Sequence, residues 1–153
     1  MISHDFAELY KRDLTRLRQE VEGLTDDTAW QTAPGMNNSP GNLILHLEGN
    51  LREYIGRQMG GLPYQRHRDA EFSSKGATVQ ELRERVQGLI ETIPPVIAAV
   101  DLSAQHQENI IGKTATRGQI LASLLGHFNY HLGQIDSARR AFTNAGPVTF
   151  AGL

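Results

Sequence analysis

At 153 residues, 39% hydrophobic and 21% charged, the chain is sized for one domain spanning residues 1–153, able to bury roughly two-thirds of the surface its unfolded form would expose. It has no cysteine, which excludes disulfides, thiolate ligands and a cysteine nucleophile and leaves only nitrogen and oxygen to hold any metal. A net charge of -2 with acids and bases intermixed argues against a phosphate-binding surface and so against a nucleic-acid partner. The N-terminus, MISHDFAELYKRD, lacks a basic segment followed by an apolar run, and no apolar stretch nears the roughly 20 residues of a membrane helix. A cytoplasmic protein with no membrane partner is expected.

Ser3 is suited to cap a first helix whose apolar residues are Phe6, Leu9, Leu14, Leu17 and Val21, and Gly23 ends it. Thr25 can cap a short turn that folds Trp30 back on the body before Pro34 and Gly35 break the chain. Ser39 and Pro40 have the N-cap and first-turn chemistry of a second long helix. Leu43, Leu47, Leu51, Tyr54 and Ile55 form its apolar face, and Gly60 and Gly61 stop it. Residues 62–77 show no period and read as a loop long enough to cross the bundle. Thr78 and Glu81 form a capping box for a third helix carrying Val79, Leu82, Val86, Leu89, Ile90 and Ile93. Pro94 and Pro95 should kink or end it, and Val96 to Val100 could extend it beyond the bend. Residues 101–115 read as irregular, with IIGKT extended. Thr116 and Gln119 make a second capping box, opening a last helix to Phe142, with a tail from about residue 143. Four long helices joined by long crossover connections predict an all-α four-helix bundle.

The last helix carries Ile120, Leu124, Phe128, Ile135, Ala138 and Phe142 at helical spacing, and His127 and His131 lie on or beside that stripe. Four residues apart, their Cβ atoms stack about 5 to 6 Å from each other, so both imidazoles can aim at one point. His46 sits between Leu43 and Leu47 on the second helix, again on an apolar face. A single histidine there is ordinarily satisfied by a carbonyl or a neighbouring side chain. Three on helices expected to pack would need three separate partners, so one divalent cation bound by His46, His127 and His131 is the economical reading. Three neutral imidazoles leave such an ion Lewis-acidic, with open positions, as in catalytic sites, and they suit zinc, nickel, iron or cobalt. Asn50 and Gln134 are placed to hydrogen-bond a ligand ring. Glu48 and Glu53 are the nearest carboxylates in sequence, candidates for a fourth ligand or base, although most helix carboxylates are solvated. Tyr130 neighbours the histidines at a spacing that turns it elsewhere. Arg57, Arg68 and Arg139 could meet an anionic substrate, with solvation or salt bridging their ordinary role. His4, His67 and His106 are expected to be solvated.

The segments SPGNLILHLEGNLREYI and GHFNYHLGQI, with LTDDTAW and RDAEF between and before them in matching order, resemble the DinB-like (YfiT-like) metal-dependent bundle proteins over residues 5–142. The likeness is to a branch of small bacterial proteins without assigned activity. The resemblance implies a homodimer holding one divalent ion, nickel or zinc, on His46, His127 and His131. It also implies a low-molecular-weight thiol as second cofactor. The function expected from it is metal-dependent activation of that thiol for transfer to an electrophilic small-molecule substrate. The alternatives are a hydrolase using metal-bound hydroxide at the same site and a non-catalytic metal-binding or stress-response bundle.

Overall fold

The computed structural model describes residues 2–148. Four long elements form the body: α1 (Ile2–Glu22), α2 (Pro40–Leu51), α4 (Val79–Ala98) and α5 (Arg117–Thr143), with a short α3 (Arg68–Ser73) in the α2–α4 connection. The described residues contain no strand, only a single bridge between Gln105 and Thr116. No described helix is long and apolar enough to cross a membrane.

Local chemistry starts each long helix except the first. Ser39 Oγ accepts from Asn42 N–H at 3.2 Å, with Pro40 in the first turn. Both capping boxes close, Thr78 with Glu81 and Thr116 with Gln119. At the other end of α5, Asn144 takes up the left-handed conformation (φ 52°) that ends many helices. Ser3 is not a cap, since α1 already includes Ile2. Thr25 and Thr28 exchange side-chain bonds around a 3-10 turn, Thr28–Trp30. The indole then packs back on the core and donates to Ala77 O at 2.9 Å.

The core is the meeting of Leu14, Leu17 and Val21 of α1, Leu43, Leu47 and Leu51 of α2, Leu82, Val86 and Leu89 of α4, and Ile120, Leu124 and Phe128 of α5, all buried. Helix α1 packs on α4 and α5, and α2 packs on the same two, so α1 and α2 lie diagonally opposite each other. The chain therefore crosses the bundle between α1 and α2 and again between α4 and α5. The 62–77 segment joins neighbours, contrary to the crossover expected of it. Its length instead houses α3, which lies against α2. Asn42 holds α3 there, donating to Glu71 O at 3.0 Å and Ser74 O at 2.9 Å.

Two stretches refine the expected helices and one departs from expectation. Helix α4 runs through Pro94 and Pro95 to Ala98, because Ile93, Pro94 and Ile97 continue its buried face and outweigh the lost backbone bonds. Helix α2 continues as a π-helical segment, Arg52–Arg57, with Gln58 N–H reaching back to Glu53 O at 3.1 Å. The IIGKT segment is bent rather than extended. Of the expected tail, residues 144–148 have no regular structure and the remainder lies outside the described residues.

Candidate metal centre

Phe128, Leu132 and Ile135 face the core of α5, and the residue before each of the first two, His127 and His131, is rotated to the edge of that face. Both are half-buried, while His46, packed between Leu43 and Leu47 on α2, is 7% exposed. The helix packing brings the three rings together. His127 Nε2 lies 3.2 Å from His46 Nε2 and 3.1 Å from His131 Nε2, and one ligand nitrogen from each residue falls within 4.8 Å of the others. The ring planes are nearly perpendicular pairwise, at 74°, 88° and 83°, so the nitrogens approach one point from three directions.

The outer nitrogens decide what the inner ones can do. His46 Nδ1 faces Glu71 Oε2 at 2.8 Å and His131 Nδ1 faces Gln134 Oε1 at 2.7 Å. Each oxygen accepts, so each Nδ1 carries the proton and each Nε2 presents a lone pair. His127 Nε2 has one in-plane position, a proton or a lone pair, and faces two neighbours. At least one of the two short contacts therefore sets nitrogen against nitrogen with no proton between them. A divalent cation satisfies all three at once. Bonds of about 2.0–2.1 Å separate adjacent ligand nitrogens by roughly 3.0 Å at right angles and 3.3 Å at a tetrahedral angle, and the observed 3.1 and 3.2 Å fall between.

Protons compete poorly for this site. Burial, reinforced by His131, His46 and Arg66, pushes His127 down to about 4. Burial also holds His46 below the ordinary imidazole range, against the pull of Glu71. Both rings are neutral at pH 7. In the metal-free protein, the unfolded chain takes a proton on His127 near pH 6.5 while the folded chain resists until about 4. The His127 contribution to stability is thus complete above pH 6.5 and is lost as pH falls through this window, by an amount on the order of 1–3 kcal/mol after allowance for its half-exposure. Glu20, raised to about 7 by burial despite Arg139, slopes the other way between pH 4.5 and 7. The His127 effect is therefore read as the difference between wild type and His127→Asn in urea unfolding at pH 7 and pH 5.

Glu71 is the carboxylate of the site, and spacing in the sequence pointed instead to Glu48 and Glu53. Glu48 is engaged by Arg52 and Arg85, and Glu53 by Arg57 and Gln58. Glu71 is 6% exposed and takes Arg66 on both oxygens, at 2.6 and 2.9 Å, besides His46. It rests against the backbone of α2, where a Cβ on Gly49 would sit 2.0 Å from its Oε1. Asn50 Nδ2 lies 3.1 Å from His46 Nε2 and donates to His46 O at 3.2 Å, so both expected amides adjoin rings of the triad.

Other expectations divide. Tyr130 is exposed but its ring lies edge-on to His131 with centroids 5.1 Å apart, closer than its spacing suggested. Phe72 lies 4.9 Å from His46, and Arg68 stands 5.3 Å over Phe72 with no carboxylate partner among the described residues. Arg139 is buried with Glu20 and Asp136, and Arg57 is paired with Glu53 and Glu108, so neither is available to a substrate. His4 and His67 are exposed as expected. His106 is not: it is 6% exposed, with Nε2 2.9 Å from Gln58 Oε1 and its N–H on Ala115 O.

The family model described as mycothiol-S-transferase matches residues 6–144. A crystal structure described as a DinB-like protein from Bacillus cereus ATCC 10987 shares the fold, with a TM-score of 0.72 over 94% of both chains at 14% sequence identity. No curated protein matches the sequence.

Proposed function

The chain belongs to the mycothiol-S-transferase family of DinB-like proteins, and from that premise we propose that it is a divalent-metal-dependent enzyme activating a small thiol for transfer to an electrophilic substrate. His46, His127 and His131 are the proposed ligands. The observation that carries this is the convergence of three Nε2 atoms with two of the opposite Nδ1 atoms tied to oxygen acceptors. A cation held there would supply Lewis acidity, lowering the pKa of a thiol brought against it.

The chain's own part is positioning. Glu71 and Gln134 fix the tautomers and orientations of His46 and His131, which keeps both lone pairs inward. Phe72 and Tyr130 flank the rings with apolar surface, which lowers the local dielectric and favours charge on sulfur near a cation. Arg68, over the Phe72 ring and without a carboxylate partner among the described residues, can receive an anionic group of the incoming molecule. Nickel or zinc and a homodimeric assembly are part of the proposal through the family resemblance.

The test incubates zinc- or nickel-loaded protein with monobromobimane, with and without mycothiol or cysteine, and follows both electrophile loss and thioether formation. Loss of electrophile with matching thioether, dependent on both metal and thiol, is expected. Consumption independent of thiol would overturn the transferase reading and favour attack by water at the same site.

A further inference from the structure

We propose that the cavity bounded by α2, α3 and the start of α4 is a second ligand site, shaped for a small aromatic or short-chain carboxylate. It has a volume of about 470 Å³, within the range of small-molecule sites. Trp30, Leu45, Tyr64 and Ala77 provide apolar wall. Because the Trp30 indole N–H is already committed to Ala77 O, its ring and not its donor is what the cavity offers.

The charges on the wall are unequal in their commitments. Glu48 is held by Arg52 at 2.9 Å and by Arg85 at 3.0 Å, and Glu71 by Arg66 at 2.6 Å and His46 at 2.8 Å. Both acids are thus neutralised by partners of their own. Lys75 also lines the cavity, is exposed, and has no carboxylate partner among the described residues. The Tyr64 hydroxyl likewise has no hydrogen-bond partner there. Lys75 and Tyr64 can both donate to an anion beside the apolar wall, as can the side chains of Gln65, His67 and Ser74, which line it too and make no side-chain hydrogen bond among the described residues. An ammonium beside an apolar wall, with both nearby carboxylates already paired, suits a carboxylate ligand.

The three convergent histidines, His46, His127 and His131, do not line this cavity, although the exposed His67 does. Glu71 stands between, its Oε2 on His46 Nδ1 while the convergent Nε2 atoms lie across the ring. An occupant is therefore bound away from the point where the imidazoles meet, and the inference goes beyond the transferase reading and does not depend on it.

The chain has one tryptophan, and it lies in this wall, so its fluorescence reports occupancy directly. Metal-stripped protein is titrated with benzoate and 3-phenylpropionate, and with benzamide and 3-phenylpropionamide as uncharged counterparts. Saturable change with the acids is expected, with the amides weaker by about tenfold. Lys75→Met, an exposed position that leaves the fold intact, is expected to weaken the acids about five- to tenfold and erase their advantage. A signal that stays linear to about 10 mM, equal binding of acids and amides, or acid binding unchanged in Lys75→Met would each overturn the proposal. Because no metal is present, none of these outcomes bears on the metal-dependent reading.

Discussion

Replacing His127 with alanine is expected to abolish metal binding at the proposed centre while leaving the protein folded. His127 Nε2 is the atom that both other imidazoles face, at 3.2 and 3.1 Å, so its loss removes the middle ligand and leaves two nitrogens from different helices. Losing one of a few protein ligands is expected to weaken binding on the order of 10²- to 10³-fold. The cost to the metal-free fold is small, about 1 kcal/mol or less. The ring is only half-buried, and its removal relieves a contact between unprotonated nitrogens. Elemental analysis of tag-free protein, with urea unfolding of the stripped forms, measures both. His67→Ala should keep its metal, being exposed. His106→Ala should also keep it but lose stability, because it breaks the buried contact with Gln58. Metal content in His127→Ala equal to wild type would refute the assignment.

That the triad was legible at all follows from where local signals are strong. Capping at Ser39, Thr78 and Thr116 acts within one helical turn, so the starts of α2, α4 and α5 can be read residue by residue. The histidines then stand out because they sit where the apolar period predicts burial. What sequence could not supply was the order of packing. No local pattern states that α1 and α2 are diagonal, and loop length alone assigned a crossing to the segment that joins neighbours. The same limit left open whether the helix ends at Pro94 and Pro95 or goes on past them, as it does where the burial of Ile93 and Ile97 prevails over a local penalty of about 3 kcal/mol. It hid the burial of His106 too, which depends on the α4–α5 connection folding against the end of the π-helical segment.

Glu71 shows the limit most sharply, because RDAEF carried only a family likeness and nothing local ties its glutamate to His46 on another helix. The signal lay on the partner helix. Gly49 sits inside a buried helix at a cost of roughly 1 kcal/mol relative to alanine, and Asn42 is a buried amide one turn before His46. Each is where it is because α3 docks there: Asn42 binds its backbone, and Gly49 makes room for its carboxylate. A polar residue and a glycine on an otherwise buried helix face are the marks of something laid across it.

The second large effect is expected at this contact. Glu71→Ala removes the acceptor from His46 Nδ1 and leaves the Arg66 guanidinium, now held only by Tyr54 OH at 3.1 Å, without its counter-ion. Breaking such a pair while its partner stays partly buried costs about 2–4 kcal/mol, a little under the fully buried case because Arg66 can turn toward water. Freeing the His46 ring should lower metal affinity about 10- to 100-fold. Glu71→Gln retains a carbonyl oxygen for His46 but not the charge for Arg66. It should recover most of the affinity and little of the stability, a split that a purely structural role for Glu71 would not produce. Gly49→Ala provides an independent check without altering the carboxylate. Its Cβ would lie 2.0 Å from Glu71 Oε1 and 2.7 Å from Cδ, so Glu71 must move away. Alanine is the better helix former by roughly 1 kcal/mol, so helix propensity alone would make this variant more stable than wild type. The expected result is the reverse, a protein less stable and weaker in metal binding, tracking Glu71→Ala. Gly49→Ala protein that is stabilised and binds zinc as tightly as wild type would mean that Glu71 does not hold His46 in place.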